Sequence, residues 1–170
     1  MLAPWNDHGP LRVTPNGRYL QYVDGTDFFW LGDTAWHLAR LTPVDVEQYM
    51  ANRAAKGFTM IYLYAAQDPT PPFGGKTYAG EIAFVGDGPP FATVVLNEAY
   101  WRHIDFIVDC AAAHGLYVAM TPAWGFNLDG GKRQYFTDPT QHNYAYGKLI
   151  GTRYSSKPKF LSAWYASRWQ

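Results

Sequence analysis

A capped helix lying between two short apolar runs constrains this chain more than any other feature. Thr42-Pro43-Val44-Asp45 combines a hydroxyl N-cap, a proline at the first helical position and a carboxylate three residues after the cap. Val46, Tyr49, Met50 and Arg53-Ala54 then recur at intervals of three to four, and Gly57 follows Lys56 as the stop. On one side stands Phe28-Phe29-Trp30-Leu31-Gly32-Asp33-Thr34-Ala35-Trp36, and on the other Phe58-Thr59-Met60-Ile61-Tyr62-Leu63-Tyr64. Both read as strands. A strand-helix-strand unit implies parallel pairing, and near-continuous apolarity implies strands buried on both faces.

The alternation continues. A break rich in proline and glycine over residues 65–90 forbids a long regular element, and a loop of that length in a compact domain is usually functional or disordered. Its aromatics Phe73, Tyr78, Phe84 and Phe91 favour an ordered flap. Residues 97–113 resume helical spacing, with Tyr100, Ile104, Ile107-Val108 and Ala111 inward and Gly115 as the stop. Residues 116–120 read as a third strand, Asp138-Pro139 opens a further helix to about Tyr154, and residues 160–164 are the candidate fourth strand. At the N-terminal end, residues 11–13 and 19–23 flank Thr14-Pro15-Asn16-Gly17-Arg18, whose Asn-Gly pair favours a tight hairpin. The hairpin is expected to cover the bottom of the strand-helix repeats. The fold class is therefore α/β: a partial (β/α)8 TIM barrel of about the first four β/α units, preceded by an N-terminal β-hairpin. A doubly wound sheet fits less well, because no Gly-x-Gly-x-x-Gly follows the first strand.

Composition narrows the functional classes. Fourteen basic and fourteen acidic residues cancel, without a Lys/Arg cluster, so neither nucleic acid nor an anionic membrane surface is an expected partner. The N-terminal residues lack a basic start with an apolar core, and no stretch reaches the ~20 apolar residues of a span. Localisation and oligomeric state stay unassigned. The single Cys110 falls in a helical apolar pattern and reads as a packing residue. No metal site is expected, since His103 and His114 are about 16 Å apart along one helix. Gly75-Lys76-Thr77 imitates the end of a phosphate loop but has Thr70 where glycine is required. No Gly-x-Ser-x-Gly elbow is present, and no cofactor is expected.

Aromatic residues make up 18% of the chain, with seven tryptophans, and flat apolar faces with polar edges suit sugar rings. Trp36 and Trp124 follow the first and third strands, where they either stack on a sugar or pack the rim. Asp33 and Asp68 follow neighbouring strands, and a retaining glycosidase needs two carboxyls about 5 Å apart. Asp33 is open to three readings: catalysis, hydrogen bonding to substrate hydroxyls, or bonding to its own turn. Asp68, before Pro69, reads more as a turn residue. His37 could donate to a substrate oxygen or be structural, and Gln67 and Asn127 are candidate amide contacts to hydroxyls.

Several blocks together carry a family resemblance: residues 11–19, Phe29-Trp30-Leu31-Gly32-Asp33-Thr34-Ala35-Trp36, Asn52-Arg53-Ala54-Ala55-Lys56-Gly57-Phe58, Tyr100-Trp101-Arg102-His103-Ile104-Asp105 and Gly115-Leu116-Tyr117-Val118. Over about residues 9–158 the chain resembles the apiosidase-like glycoside hydrolases, a (β/α)8 family. The resemblance implies hydrolysis of glycosidic bonds in plant-type polysaccharide or oligosaccharide by two carboxylates at the top of the barrel, without a cofactor. It transfers Asp33, Thr34, Trp36 and Trp124 as residues lining the site. It also implies an acid/base Asp in a Gly-Gly-Asp context ending the fourth strand. Here residues 159–170 diverge, and no carboxylate follows Asp138. The expectation is one domain over 1–170, a truncated or frameshifted barrel, inactive alone and prone to self-association through open sheet edges. The rival expectation is a non-catalytic carbohydrate-binding protein.

Overall fold

The computed structural model describes residues 4–70, 72, 74–86, 88–127, 134–155 and 160–162. A short helix α1 (Pro4–His8) leads into the antiparallel pair β1 (Leu11–Val13) and β2 (Leu20–Tyr22), with Leu11 opposite Tyr22. Gly17 takes φ 72° in the connecting turn, where Thr14 and Asn16 bond to each other and to the turn backbone. After β2 come β3 (Gly32–Thr34), α2 (Pro43–Ala55), β4 (Met60–Tyr64), α3 (Glu98–Ala113), β5 (Tyr117–Thr121), α4 (Pro139–Tyr154) and β6 (Phe160–Ser162). The last four strands form one parallel sheet in the order β3-β4-β5-β6.

The helices start where the sequence marks them. Thr42 accepts from the Asp45 amide, Asn97 from the Ala99 amide and Asp138 from the Gln141 amide, so each helix has a side chain on one of its orphan donors. Gly57 and Gly115, at φ 79° and 75°, let α2 and α3 turn out of the helix.

Alternation along the strands sorts the sheet into two faces. Ile61 and Leu63 of β4 and Val118 and Met120 of β5 join α2 and α3 in the main core, with Val46, Met50, Tyr100, Trp101, Ile104 and Ile107. Met60, Tyr117 and Ala119 turn the other way and pack with Trp5, Tyr22 and Phe28. Met60 and Tyr117 begin their strands, so the hairpin and α1 cover the N-terminal ends of β4 and β5. The described part of the proline-rich segment is packed as well. Phe84 and Phe91 are buried against Phe136 and Tyr146, and the Trp101 indole donates to the Ala83 carbonyl. Tyr78 is exposed yet packs edge-on to His103. Phe73 lies outside the described residues, as does the tail 163–170 that carries the end of the expected fourth strand.

One sequence expectation needs correction. The aromatic run at 28–31 is not a buried strand: the strand begins at Gly32, and Phe29, Trp30 and Leu31 are exposed at 75%, 50% and 37%. In the described sheet β3 pairs with β4 alone, so the run has no second neighbour to bury it. Only Phe28 enters a core, while Thr59 pins the segment through its hydroxyl bond to the Phe29 carbonyl.

Candidate functional site

The C-terminal ends of β3, β4 and β5 converge on one cavity. Beyond the strands proper, the Ala35 amide still bonds the Tyr62 carbonyl, Ala65 bonds Thr121 and Ala66 bonds Pro122. This extended pairing holds three connections side by side: Trp36-His37 after β3, Gln67-Asp68 after β4, and Trp124 after β5. They enclose about 260 Å³, lined by Trp36, His37, Arg40, Tyr64, Gln67, Asp68 and Trp124. That volume lies just below the range of small-molecule sites, about 300–1,000 Å³.

Aromatic rings form the wall. Trp36 and Trp124 are each half-buried, with ring centroids 4.9 Å apart. Tyr62 backs Trp36 at 4.6 Å and Tyr64 backs Trp124 at 5.4 Å. All four rings are tilted rather than stacked flat, so the indoles are held at an angle to each other.

Gln67 braces the polar side. It is buried, and its amide nitrogen donates to the backbone carbonyls of Trp36 and Tyr64. Those two carbonyls fix the amide orientation, so Oε1 is the acceptor for Arg40 Nε at 3.3 Å and His37 Nδ1 at 3.2 Å. His37 therefore donates from Nδ1, which leaves Nε2 as its acceptor nitrogen. The Gln67 amide is committed to holding His37 and Arg40 in place. Its own backbone N–H is bound by the buried Tyr100 hydroxyl.

Asp68 is both a turn residue and a wall of the cavity. Its Oδ1 accepts from the Thr70 amide at 2.9 Å and the Thr70 hydroxyl at 2.5 Å, while Oδ2 accepts from Asn127 Nδ2 at 3.4 Å. Asn127, also buried, accepts from the Tyr64 hydroxyl at 3.2 Å. The Tyr64 and Tyr135 hydroxyls lie 2.6 Å apart, and Tyr135 donates onward to the Ala66 carbonyl. Burial pushes both phenols above their usual range, which keeps them neutral. Asn127 thus supports Asp68 from behind and is not among the lining residues.

The structure brings Trp36, His37, Gln67 and Trp124 together and sends Asp33 elsewhere. Register decides this. Asp33 is opposite Ile61, whose side chain faces the helices, so Asp33 faces α2. There its Oδ2 accepts from the Tyr49 hydroxyl at 2.7 Å and Arg53 Nη1 at 2.8 Å. Trp124 and Asp68 line the cavity, whereas Asp33 is tied to α2 and is not among the lining residues. Thr34 shares the level of Tyr62 on the cavity side but is exposed and does not line the cavity. Sequence reasoning misses Arg40, carried on a 3-10 turn (Leu38–Arg40) just beyond Trp36-His37. It also places Asp33 above Asp68, although Asp68 ends an apolar strand in the same way.

Comparison with known proteins places the chain among glycoside hydrolases. The family model described as the apiosidase-like catalytic domain matches residues 14–166. A solved glycoside hydrolase is 29% identical with a TM-score of 0.76, covering 95% of this chain and 35% of that one. A glycoside hydrolase family 5 protein from Bacteroides vulgatus is 27% identical with a TM-score of 0.75, covering 94% of this chain and 33% of that one. An endo-1,4-β-mannanase from Rhizomucor miehei shares the fold at 14% identity, with a TM-score of 0.61 and coverage of 90% and 48%. The chain thus spans about a third to a half of the length of these structures. No curated protein sequence matches it.

Proposed function

Since this chain belongs to the apiosidase-like catalytic-domain family, we propose that its cavity is the sugar-binding wall of a glycoside hydrolase site, built on the first four β/α units of a TIM barrel. The observation that carries this reading is the tilted Trp36–Trp124 pair standing over a polar edge of His37, Arg40 and Asp68. A pyranose or furanose ring lays its C–H face on an indole while its hydroxyls need donors and acceptors at the rim. Arg40 is the donor, Asp68 and His37 Nε2 are acceptors, and Gln67 keeps the cation and the imidazole in register. A small sugar unit suits the volume, and the family's name favours plant-type polysaccharide or oligosaccharide.

Glycosidic cleavage needs two carboxyls flanking the bond, about 5–5.5 Å apart for retention or about 6.5–9.5 Å for inversion. Among the described residues lining the cavity Asp68 supplies one, and Asp33 is bound to α2. This favours sugar binding without turnover by the 170-residue chain, which is also what a non-catalytic carbohydrate-binding protein would do. The test is titration of the purified chain with pectic oligosaccharides, followed by calorimetry and by assay for reducing ends. Binding that is lost in Trp124→Ala, with no reducing ends released, supports the reading. Failure to bind any oligosaccharide, or affinity unchanged in Trp124→Ala and Trp36→Ala, overturns it.

A further inference from the structure

Helices α2 and α3 bring together three side chains that have no part in the cavity. Cys110 and His114 are four residues apart at the C-terminal end of α3, hence on one face, and Glu47 reaches them from α2. Cys110 Sγ donates to Glu47 Oε2 at 3.0 Å, and His114 Nε2 lies 2.7 Å from Glu47 Oε1. One donor atom from each residue lies within 4.8 Å of the other two. The sequence expectation of no metal site weighs only pairs along α3, and α2 contributes the missing donor.

We propose that Glu47, Cys110 and His114 form a zinc site that clips α2 to α3 on the outer helical layer, with water as the fourth ligand. The donor set selects the metal. A thiolate, an imidazole and a carboxylate together suit Zn²⁺, whereas Mg²⁺ and Ca²⁺ take oxygen ligands. Geometry agrees. With Zn–S about 2.3 Å and Zn–N and Zn–O about 2.0–2.1 Å, tetrahedral coordination places neighbouring donors about 3.3–3.6 Å apart. The two hydrogen bonds open by about 0.6 Å, and the widest donor pair, within 4.8 Å, closes by up to about 1.2 Å to admit the ion. Accessibility is also graded suitably: Cys110 is buried, His114 is half-buried, and the exposed Glu47 leaves an approach from solvent. On binding, the Cys110 S–H bond breaks, Zn–S forms and the proton passes to solvent; no redox step is involved.

The chain has one cysteine, so any thiolate signal reports this site alone. The test loads the full chain, stripped with chelator, with Co²⁺ as spectroscopic probe and then with Zn²⁺. The expected results are one metal per chain, tetrahedral cobalt bands with a thiolate charge-transfer band, and a rise in Tm of about 5–10 °C at hundredfold excess zinc over Kd. Cys110→Ala should abolish the charge-transfer band. Glu47→Gln and His114→Ala should weaken zinc binding by at least about tenfold. Glu47→Gln changes an exposed side chain and guards against misreading a folding defect in Cys110→Ala. A loaded chain without a thiolate band, or zinc affinity unchanged in Glu47→Gln and Cys110→Ala, overturns the proposal.

Discussion

Trp36 and Trp124 come from different strands separated in the sheet by β4, and their indole rings meet with centroids 4.9 Å apart and planes at 54°. Each follows a strand end, and Tyr62 and Tyr64 of the intervening strand support them from below. Both tryptophans are half-buried, so truncating one removes cavity wall more than core. Trp124→Ala should cost sugar affinity about tenfold, equivalent to about 1.4 kcal/mol. The Tm should fall by only a few degrees. Parallel calorimetry and thermal melts check this, and a large Tm loss with unchanged affinity would mean the rings only pack.

Asp33 makes a contrasting case. Its carboxylate, with Arg53 and Tyr49, ties the first strand of the parallel sheet to α2, and the Arg53 guanidinium also lies over the Tyr49 and Phe58 rings at 5.2 and 5.3 Å. Two bonds to a partly buried carboxylate contribute about 1–2 kcal/mol. Asp33→Asn should therefore lower Tm by about 3–8 °C and leave sugar affinity intact. Affinity falling with stability unchanged would return Asp33 to the binding surface.

The order of elements from the hairpin onward and the helix caps are legible in the sequence because those signals are local, whereas α1 (Pro4–His8) is not foreseen. Thr42, Asn97 and Asp138 cap what their neighbours predict, and Gly57 and Gly115 stop the helices. Side-chain direction is not legible at Asp33, since it depends on the register between β3 and β4. A shift of one residue would send that carboxylate to the cavity. The expected strand at residues 28–31 fails for a related reason, because apolar composition does not tell how many neighbours a strand will have. The Gln67 brace and the Glu47–Cys110–His114 group join residues far apart in the chain, and no spacing rule reaches across them.

Tyr64, Tyr135 and Asn127 couple the end of β4 to the segment beyond β5. Removing the Tyr64 hydroxyl leaves Asn127 and Tyr135 with one partner fewer in a buried site, at a cost of about 1–3 kcal/mol. Because Asn127 supports Asp68, Tyr64→Phe should lower both Tm and sugar affinity, whereas Tyr49→Phe should lower Tm alone. Comparing the two variants by melt and titration separates support of the cavity from general stability.

Phe29, Trp30 and Leu31 present apolar surface beside β3, which has an unpaired edge in the described sheet. Such an edge is a template for another strand. The chain should self-associate with rising concentration, and Trp30→Lys with Phe29→Glu should shift it toward monomer. Sedimentation across a concentration series gives the answer, and a stable monomer at every concentration would contradict it.

Alkaline pH should unfold the protein through its buried phenols. Tyr64, Tyr100, Tyr135, Tyr146 and Tyr154 are raised above the ordinary 10.0, with burial as the largest cause in each. In the unfolded chain they ionise near 10, while in the folded chain they keep their protons. Between those limits the folded state binds more protons than the unfolded state, so stability falls as pH rises. Stability from these groups is fully present below pH 10 and is lost at up to about 1.4 kcal/mol per pH unit for each tyrosine. Five such groups reach about 7 kcal/mol near pH 11, which is comparable to the whole stability of a domain. Tyrosinate absorbance should therefore rise cooperatively, together with loss of helical circular dichroism, within about one pH unit above 10.5. Gradual, independent titration near pH 10 with the helices intact would show that solvent reaches these hydroxyls in the folded chain.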